Sequence, residues 1–400
     1  MAQIAERPAL LQTGRWFTRE RAWINEQHLN LCRIPAPTFF ESARAEWFRA
    51  QLESLGWSAR LDRAGNVLAQ TDSEERQRPY VVSAHLDTVF APNRPEDVYF
   101  ASDGRLVGPG VSDNGSGLAA LLALGRALRE LPELVDLAES TLLVANVGEE
   151  GEGNLSGMRY LCRQSAQLSQ VKAFLVLDGP STDHITAQAL SSRRFEILFT
   201  GPGGHSWNDS GTPNPIHALS DAIAWFTQSP EPRGGERKAR YAYNFGIIEG
   251  GSSINSIPAT ARAKLDLRSE DPAILDDLSA SLSTAVERSL ERENRNVRGG
   301  RLAAKIKELG SRPGGKLPAN SPLLQTVQAV DGYLNIRSRI HCASTDANVP
   351  LSLGLPAVSI GAGGSGGGAH TSDEWYQSDG RELGLRRILL ILAAMLEAAE

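Results

Sequence analysis

Residues 80–87 read Tyr80-Val-Val-Ser-Ala-His85-Leu-Asp87, a short apolar run that ends in a histidine and an aspartate two positions apart. An uninterrupted run of this length predicts a strand buried on both faces, as in a parallel sheet. Two runs of the same kind follow, Thr141-Leu-Leu-Val-Ala and Ala173-Phe-Leu-Val-Leu. Between the first two, Leu118, Leu121, Leu122, Gly125 and Leu128 recur at helical spacing and predict a helix from about Gly115 to Glu130. Strand and helix in alternation are the grammar of an α/β fold.

From Arg193 the order changes. Strands are predicted at Arg194–Thr200, Arg240–Glu249, Ala259–Arg268 and Leu302–Leu309, with helices at Pro215–Thr227 and Pro272–Arg292. Both helices open on a capping side chain followed by proline, Asn214-Pro215 and Asp271-Pro272. The resulting β-α-β-β-α-β order is ferredoxin-like and makes a compact α+β domain of its own. Arg312-Pro-Gly-Gly-Lys reads as the exit linker. A helix near Pro322–Tyr333, a strand at Ala357–Ile360 and a closing helix at Arg381–Ala399 follow. The expected organisation is an α/β domain in two pieces, residues 1–191 and 313–400, interrupted by an insert at 192–312.

At 400 residues the chain can bury a large core without disulfides or a structural metal. Forty-one basic and 47 acidic side chains leave a formal charge of −6, too mild and too mixed for a nucleic-acid binder. Three scattered cysteines, Cys32, Cys162 and Cys342, fit neither a disulfide framework nor a C-x-x-C motif and suit a reducing compartment. Glu6 and Pro8 stand where a signal peptide needs apolar residues, and Ile388–Leu396 is less than half a membrane span. The expectation is a cytoplasmic protein with no membrane partner.

In open α/β sheets, functional groups collect beyond the carboxyl ends of the strands. Here those ends carry His85 and Asp87, then Glu149 and Glu150 in Gly148-Glu-Glu, then Asp178, and a glycine loop after Ala357–Ile360 that delivers His370. Asp113 stands at the start of the Leu118 helix. Each feature alone has a plainer reading: a surface His-x-Asp pair, a solvated Glu-Glu turn, a carboxylate at a helix N-terminus. Their joint placement at successive strand ends favours a site. Two imidazoles with several carboxylates and no thiolate suit zinc or a similar divalent ion. Five ligands serve two ions if one carboxylate bridges, which is the two-metal hydrolytic arrangement. Asp87, two residues from His85 on one strand, can hold that imidazole and fix its tautomer.

The segments H85-L-D-T-V, G110-V-S-D-N-G-S-G, G148-E-E-G-E-G, L177-D-G and G368-A-H-T-S-D-E together resemble the co-catalytic di-zinc exopeptidases and deacylases. That family includes peptidase T, carnosinase-like dipeptidases, glutamate carboxypeptidase, acetylornithine deacetylase and aminoacylase. The resemblance runs in order along almost the whole chain. It implies a phosphorylase/hydrolase-like three-layer catalytic domain with an inserted ferredoxin-like lid and dimerisation domain, hence a homodimer. It implies His85 and Asp178 on one metal, Glu150 and His370 on the other, and Asp113 bridging. Zinc is the expected ion at both positions, with cobalt or manganese as alternatives. Glu149 resembles the general base and Asp87 the residue orienting His85. His205, in G203-G-H-S-W, resembles the lid histidine that reaches the partner's active site. Asn255 and Arg268 resemble the residues that hold the substrate, although Arg268 has Asp266 and Glu270 as plainer partners. The Asp113–Asn114 peptide is expected to be cis.

Aspartate at position 178 leans toward an aminopeptidase on di- and tripeptides, with an N-acyl-amino-acid deacylase or a glutamate-carboxypeptidase-like enzyme as the alternative. A non-catalytic peptide-binding protein on the same scaffold is a remote third. The family often has lysine two residues after the bridging aspartate, where this sequence has Gly115. Asp346 in S344-T-D-A-N is a further candidate beside the site, whereas His28, His184, His217 and His341 read as structural. Gly361, Gly363 and Gly366 match a dinucleotide fingerprint, and Gly363-Gly-Ser365-Gly-Gly matches a nucleophile elbow. Both need a following helix, which this glycine-rich tract does not predict.

Overall fold

The computed structural model describes residues 1–72, 79–164, 171–229, 231–232, 239–295 and 297–398. The chain divides into two units, residues 1–189 with 316–400, and residues 190–315.

The larger unit is built on a nine-stranded mixed sheet. Its centre is four adjacent parallel strands, in the order Thr141–Asn146, Tyr80–His85, Ala173–Leu177 and Ala357–Ile360. The first two are buried at every position, so helices cover both faces and make three layers. Antiparallel strands flank them. Ser58–Leu61 and Val67–Gln70 form a hairpin on one side, and His184–Ala189 pairs with Ala357–Ile360 on the other. The Gly115–Glu130 helix is buried along nearly its whole length and starts at Asn114, whose side chain accepts the N–H of Gly117. Four further helices precede the first strand, at Ala2–Ala5, Pro8–Arg19, Arg21–Cys32 and Ser42–Ser54. The closing helix runs Arg381–Glu397; Ala399, its expected end, lies outside the described residues. A small sheet of Tyr99–Phe100, Leu106–Val107, Trp375–Gln377 and Ser365–Gly367 was not foreseen, because strands of two or three residues carry no period.

The smaller unit is a four-stranded antiparallel sheet in the order Tyr241–Gly250, Thr260–Ser269, Ser191–Thr200, Ala303–Arg312. The helices Pro215–Thr227 and Pro272–Glu293 share its core with the sheet, through Phe195, Ile197, Phe199, Leu219, Leu278 and Leu282. Burial alternates along Thr260–Ser269, as a sheet packed on one face requires. The Asn214 and Asp271 side chains cap their helices at 2.9 Å.

Behind the large sheet, the helices Pro322–Leu334 and Arg381–Glu397 are joined by a fully buried ion pair. Arg387 donates from Nε and Nη2 to the two oxygens of Asp331, at 2.6 Å each. Removing one partner leaves the other charged in the core. Asp331→Ala should therefore cost about 3–5 kcal/mol of unfolding free energy by urea titration. The double variant Asp331→Leu with Arg387→Met should lose less than either single truncation, because no charge is then stranded.

Candidate metal centre

The four central strands are parallel and adjacent, so the residues that follow them converge at one edge of the sheet. There the structure brings together His85, Asp87, Asp113, Glu149, Glu150, Asp178 and His370. Ligand atoms of His85, Asp113 and Glu150 all lie within 4.8 Å of one another. The two oxygens of Asp113 divide between the histidines: Oδ1 is 3.1 Å from Nε2 of His85, and Oδ2 is 3.2 Å from Nε2 of His370. A second carboxylate stands beside each imidazole. Asp178 lies 4.0 Å from His85 Nε2, and Glu150 lies 2.8 Å from His370 Nε2. Two groups of one imidazole and one carboxylate, sharing a third carboxylate, match the donor set of a pair of divalent ions. The residues present therefore fit two such ions.

The tautomer of His85 follows from its partner. Nδ1 lies 2.9 Å from the backbone carbonyl of Asp87, which can only accept, so Nδ1 carries a proton and Nε2 is the nitrogen that faces the site, where it donates to Asp113 and would turn a lone pair toward an ion. The Asp87 carboxylate, 3.5 Å from the same nitrogen, has other work. It accepts the backbone N–H of Glu149 at 2.9 Å and of Glu150 at 2.8 Å, with the Thr38 hydroxyl at 2.9 Å. The two preceding N–H groups, of Val147 and Gly148, go to the side chains of Asn66 and Glu41. Four successive donors of the Val147–Glu150 turn are thus taken by side chains from elsewhere in the fold. That pins both the expected base and a ligand.

The loops that carry the other candidate ligands are held similarly. Asn114, fully buried, donates to the Leu177 carbonyl and accepts the N–H of Gly179, bracketing Asp178. Glu374 accepts three backbone N–H groups from the turn that carries Asp113. The Asp113–Asn114 peptide is cis. Gly115 is required where it stands: a Cβ there would lie 2.5 Å from Cys32 Sγ and 2.6 Å from the Gly110 carbonyl. Asp346 is buried and accepts from Asn146 at 2.6 Å. The glycine tract runs into a short strand, Ser365–Gly367, and then into His370. Asn66, Glu41, Asn114 and Glu374 were not singled out in the sequence. Asn114 and Glu374 lay inside recognised motifs, G110–G117 and G368–E374, whereas Asn66 and Glu41 lay outside all of them.

Burial, and then the Asp113 charge, push Asp178 up to about 7. Burial also raises Glu150. Asp113 goes the other way. Burial would raise it, but hydrogen bonds from His370 and His85 hold it well below the carboxylate range. Hydrogen bonding to Asp113 lifts His370 to about 9. His85 stands well above its ordinary value: burial pulls it down, but the Asp113 and Asp87 carboxylates outweigh that.

The remaining candidates lie in the smaller unit. His205 is exposed on a two-residue strand paired with Ser256–Ile257, and its Nδ1 accepts the N–H of Trp207. Asn255 is beside it, its carbonyl accepting the Ser206 N–H. Arg268 is opposite Ser192 at the other end of the sheet, where Asp266 takes its Nε at 2.7 Å. The structure thus brings His205 and Asn255 together, but not Asn255 and Arg268. Among the histidines read as structural, His28 is buried, with its ring nitrogens against the Val111 carbonyl and the Arg381 guanidinium.

The sequence model of Peptidase family M20/M25/M40 matches residues 81–397. Among curated proteins, a probable carboxypeptidase of Aspergillus clavatus is 26% identical over 247 residues, covering 57% of this chain and 52% of that protein. The chain thus spans about half the length of that relative. Among solved structures, the aminopeptidase PepT of Bacillus cereus superposes with a TM-score of 0.73 at 18% identity, covering 93% of this chain and 98% of the other. A tripeptidase of Staphylococcus aureus gives 0.74 at 20% identity, with the same coverage. At these identities the two structures speak for the fold.

The charge balance makes a pH prediction for metal-free protein. Asp178 and Glu374, both at about 7 against about 4 when unfolded, lose stability as pH rises from about 4 through 7. His370, at about 9 against about 6.5, contributes stability below pH 6.5 that is lost as pH rises to about 9. These signs agree, and buried His28, held well below its ordinary value, opposes them only below about pH 6.5. Chelated protein should melt at steadily lower temperature from about pH 6.5 to about pH 9 in calorimetry, and added divalent ions should remove most of that slope.

Proposed function

The chain belongs to Peptidase family M20/M25/M40, and from that premise we propose that it is a two-metal exopeptidase hydrolysing short peptides, an aminopeptidase on di- and tripeptides. The observation that carries the reading is the division of Asp113 between His85 and His370, each with its own second carboxylate. His85 and Asp178 would hold one ion, Glu150 and His370 the other, and Asp113 both, with zinc the preferred metal. When bound, such ions act as Lewis acids and lower the pKa of water far below its bulk value.

The chain's own residues supply the rest. Glu149, buried and held through its N–H by Asp87, would take a proton from the attacking water and pass it to the leaving amine. Asp178, rather than glutamate, supports the aminopeptidase over the carboxypeptidase, as does the likeness to proteins described as an aminopeptidase and a tripeptidase. The carboxypeptidase or N-acyl-amino-acid deacylase is the second reading, favoured by the relative described as a probable carboxypeptidase. A panel of di- and tripeptides against N-acyl amino acids and N-blocked peptides decides between them. Glu149→Gln keeps the shape and loses the base, so the rate should fall by roughly 10²–10⁴ with both ions retained by elemental analysis. Loss of metal in that variant would make Glu149 a ligand instead.

We also propose a cytoplasmic homodimer whose sites are completed in trans. Among the described residues no helix is long and apolar enough to cross a membrane. The outer strand of the smaller unit, Tyr241–Gly250, exposes Tyr243, Ile247 and Ile248 along an edge that a second copy can extend. Arg268 sits at the end of the insert where the chain enters and leaves it, and His205 at the opposite end. The ten-residue strands between put these ends roughly 25–30 Å apart. One short substrate can meet both only if they come from two chains, Arg268 binding its carboxylate and His205 donating to the oxyanion. Glu149→Ala and His205→Ala homodimers should each be nearly inactive. Refolded together, about half the dimers are mixed with one complete site each, so activity should return to roughly a quarter of wild type. A mixture that exchanges subunits and stays inactive removes the in-trans role.

A further inference from the structure

Glu374 is almost fully buried, yet no basic side chain forms a hydrogen bond or ion pair with its carboxylate among the described residues. It is filled by backbone instead. Oε2 accepts the N–H of Gly110 at 2.8 Å, and Oε1 accepts those of Ser112 at 2.6 Å and Asp113 at 2.7 Å. Its own carbonyl accepts the Gly108 N–H at 2.8 Å, and the next residues pair with Leu106–Val107 as a short ladder. A turn whose N–H groups converge on one anion resembles the nests that bind phosphates. In this protein the anion is an internal carboxylate, four residues after His370.

We propose that Glu374 is a positioning residue of the metal centre, which sets how Asp113 divides its two oxygens between the ions; this rests on the two-metal reading above. The bond to the Asp113 N–H fixes the backbone from which that side chain leaves, and the bonds to Gly110 and Ser112 fix the turn behind it. Asn114 secures the other side of the same residue. Because Glu374 lies on the segment that delivers His370, it also ties one terminal ligand to the shared one. A group that orients the shared ligand acts on both ions together. A group that only holds the fold acts on neither.

The test is zinc binding to purified Glu374→Gln and Glu374→Ala, in competition with a chromophoric chelator, beside thermal melts of the same samples. Glutamine can keep the two N–H groups at Oε1 but presents an amide donor to Gly110, so it should lose part of the effect. Alanine should lose all of it. The expected result is a rise in the zinc dissociation constants at both positions, about 10–100-fold in Glu374→Ala and less in Glu374→Gln. If the alanine variant does not fold, a paired rise in the glutamine variant supports the proposal. Variants that melt lower but bind two zinc ions as tightly as wild type make Glu374 a structural residue and overturn it. A change at one ion alone overturns it too. Wild-type protein that takes up fewer than two ions overturns the metal reading, and this proposal with it.

Discussion

The constraint on which this structure turns is electrostatic. Asp113, Glu150 and Asp178 are brought within a few ångströms of one another at the edge of a sheet, with Asp87 and Glu149 close behind. Like charges so placed in a low-dielectric site repel by several kcal/mol unless something positive stands among them. Two histidines supply part of that, while burial, and then the Asp113 charge, push Asp178 up to about 7. A chain left to relax would spread these groups apart. That they stay together means the backbone carrying them is held from outside the cluster.

The holding is done by hydrogen bonds to backbone N–H groups. Asp87 takes those of Glu149 and Glu150, Glu374 those of Gly110, Ser112 and Asp113, and Asn114 that of Gly179. Each buried acceptor also settles a desolvation debt that an unpaired donor would leave. Each anchor holds a turn from another part of the chain, so the geometry of the candidate centre and the packing of the larger unit are one property. His370 shows the same dependence, its backbone held in the left-handed region at φ 63 after Gly368.

The smaller unit carries His205 and Arg268 at two ends of one sheet, so within one copy they stay far apart. A ferredoxin-like sheet with helices on one side leaves an outer strand and an open face, and those are what a second copy can use. In this respect the insert matters for where it ends, since its length separates His205 from Arg268.

By itself the sequence determined the local elements and the strand-end placement of the candidate ligands. The apolar runs at Tyr80, Thr141, Ala173 and Ala357, the Leu118 stripe, and the caps Asn214 and Asp271 are all local signals, and parallel strands then carry His85, Glu149, Glu150 and Asp178 to one edge. The order of the insert was legible for the same reason. Tertiary structure alone decided which oxygen of Asp113 faces which histidine, and that the Asp87 carbonyl rather than its carboxylate sets the His85 tautomer. It alone paired Arg387 with Asp331, parted Asn255 from Arg268, and set Glu374 against a turn more than 260 residues earlier. Periodicity records only what a residue does with its near neighbours along the chain. A hydrogen bond between an exact pair of atoms far apart in sequence exists only once the sheet has closed the distance between them.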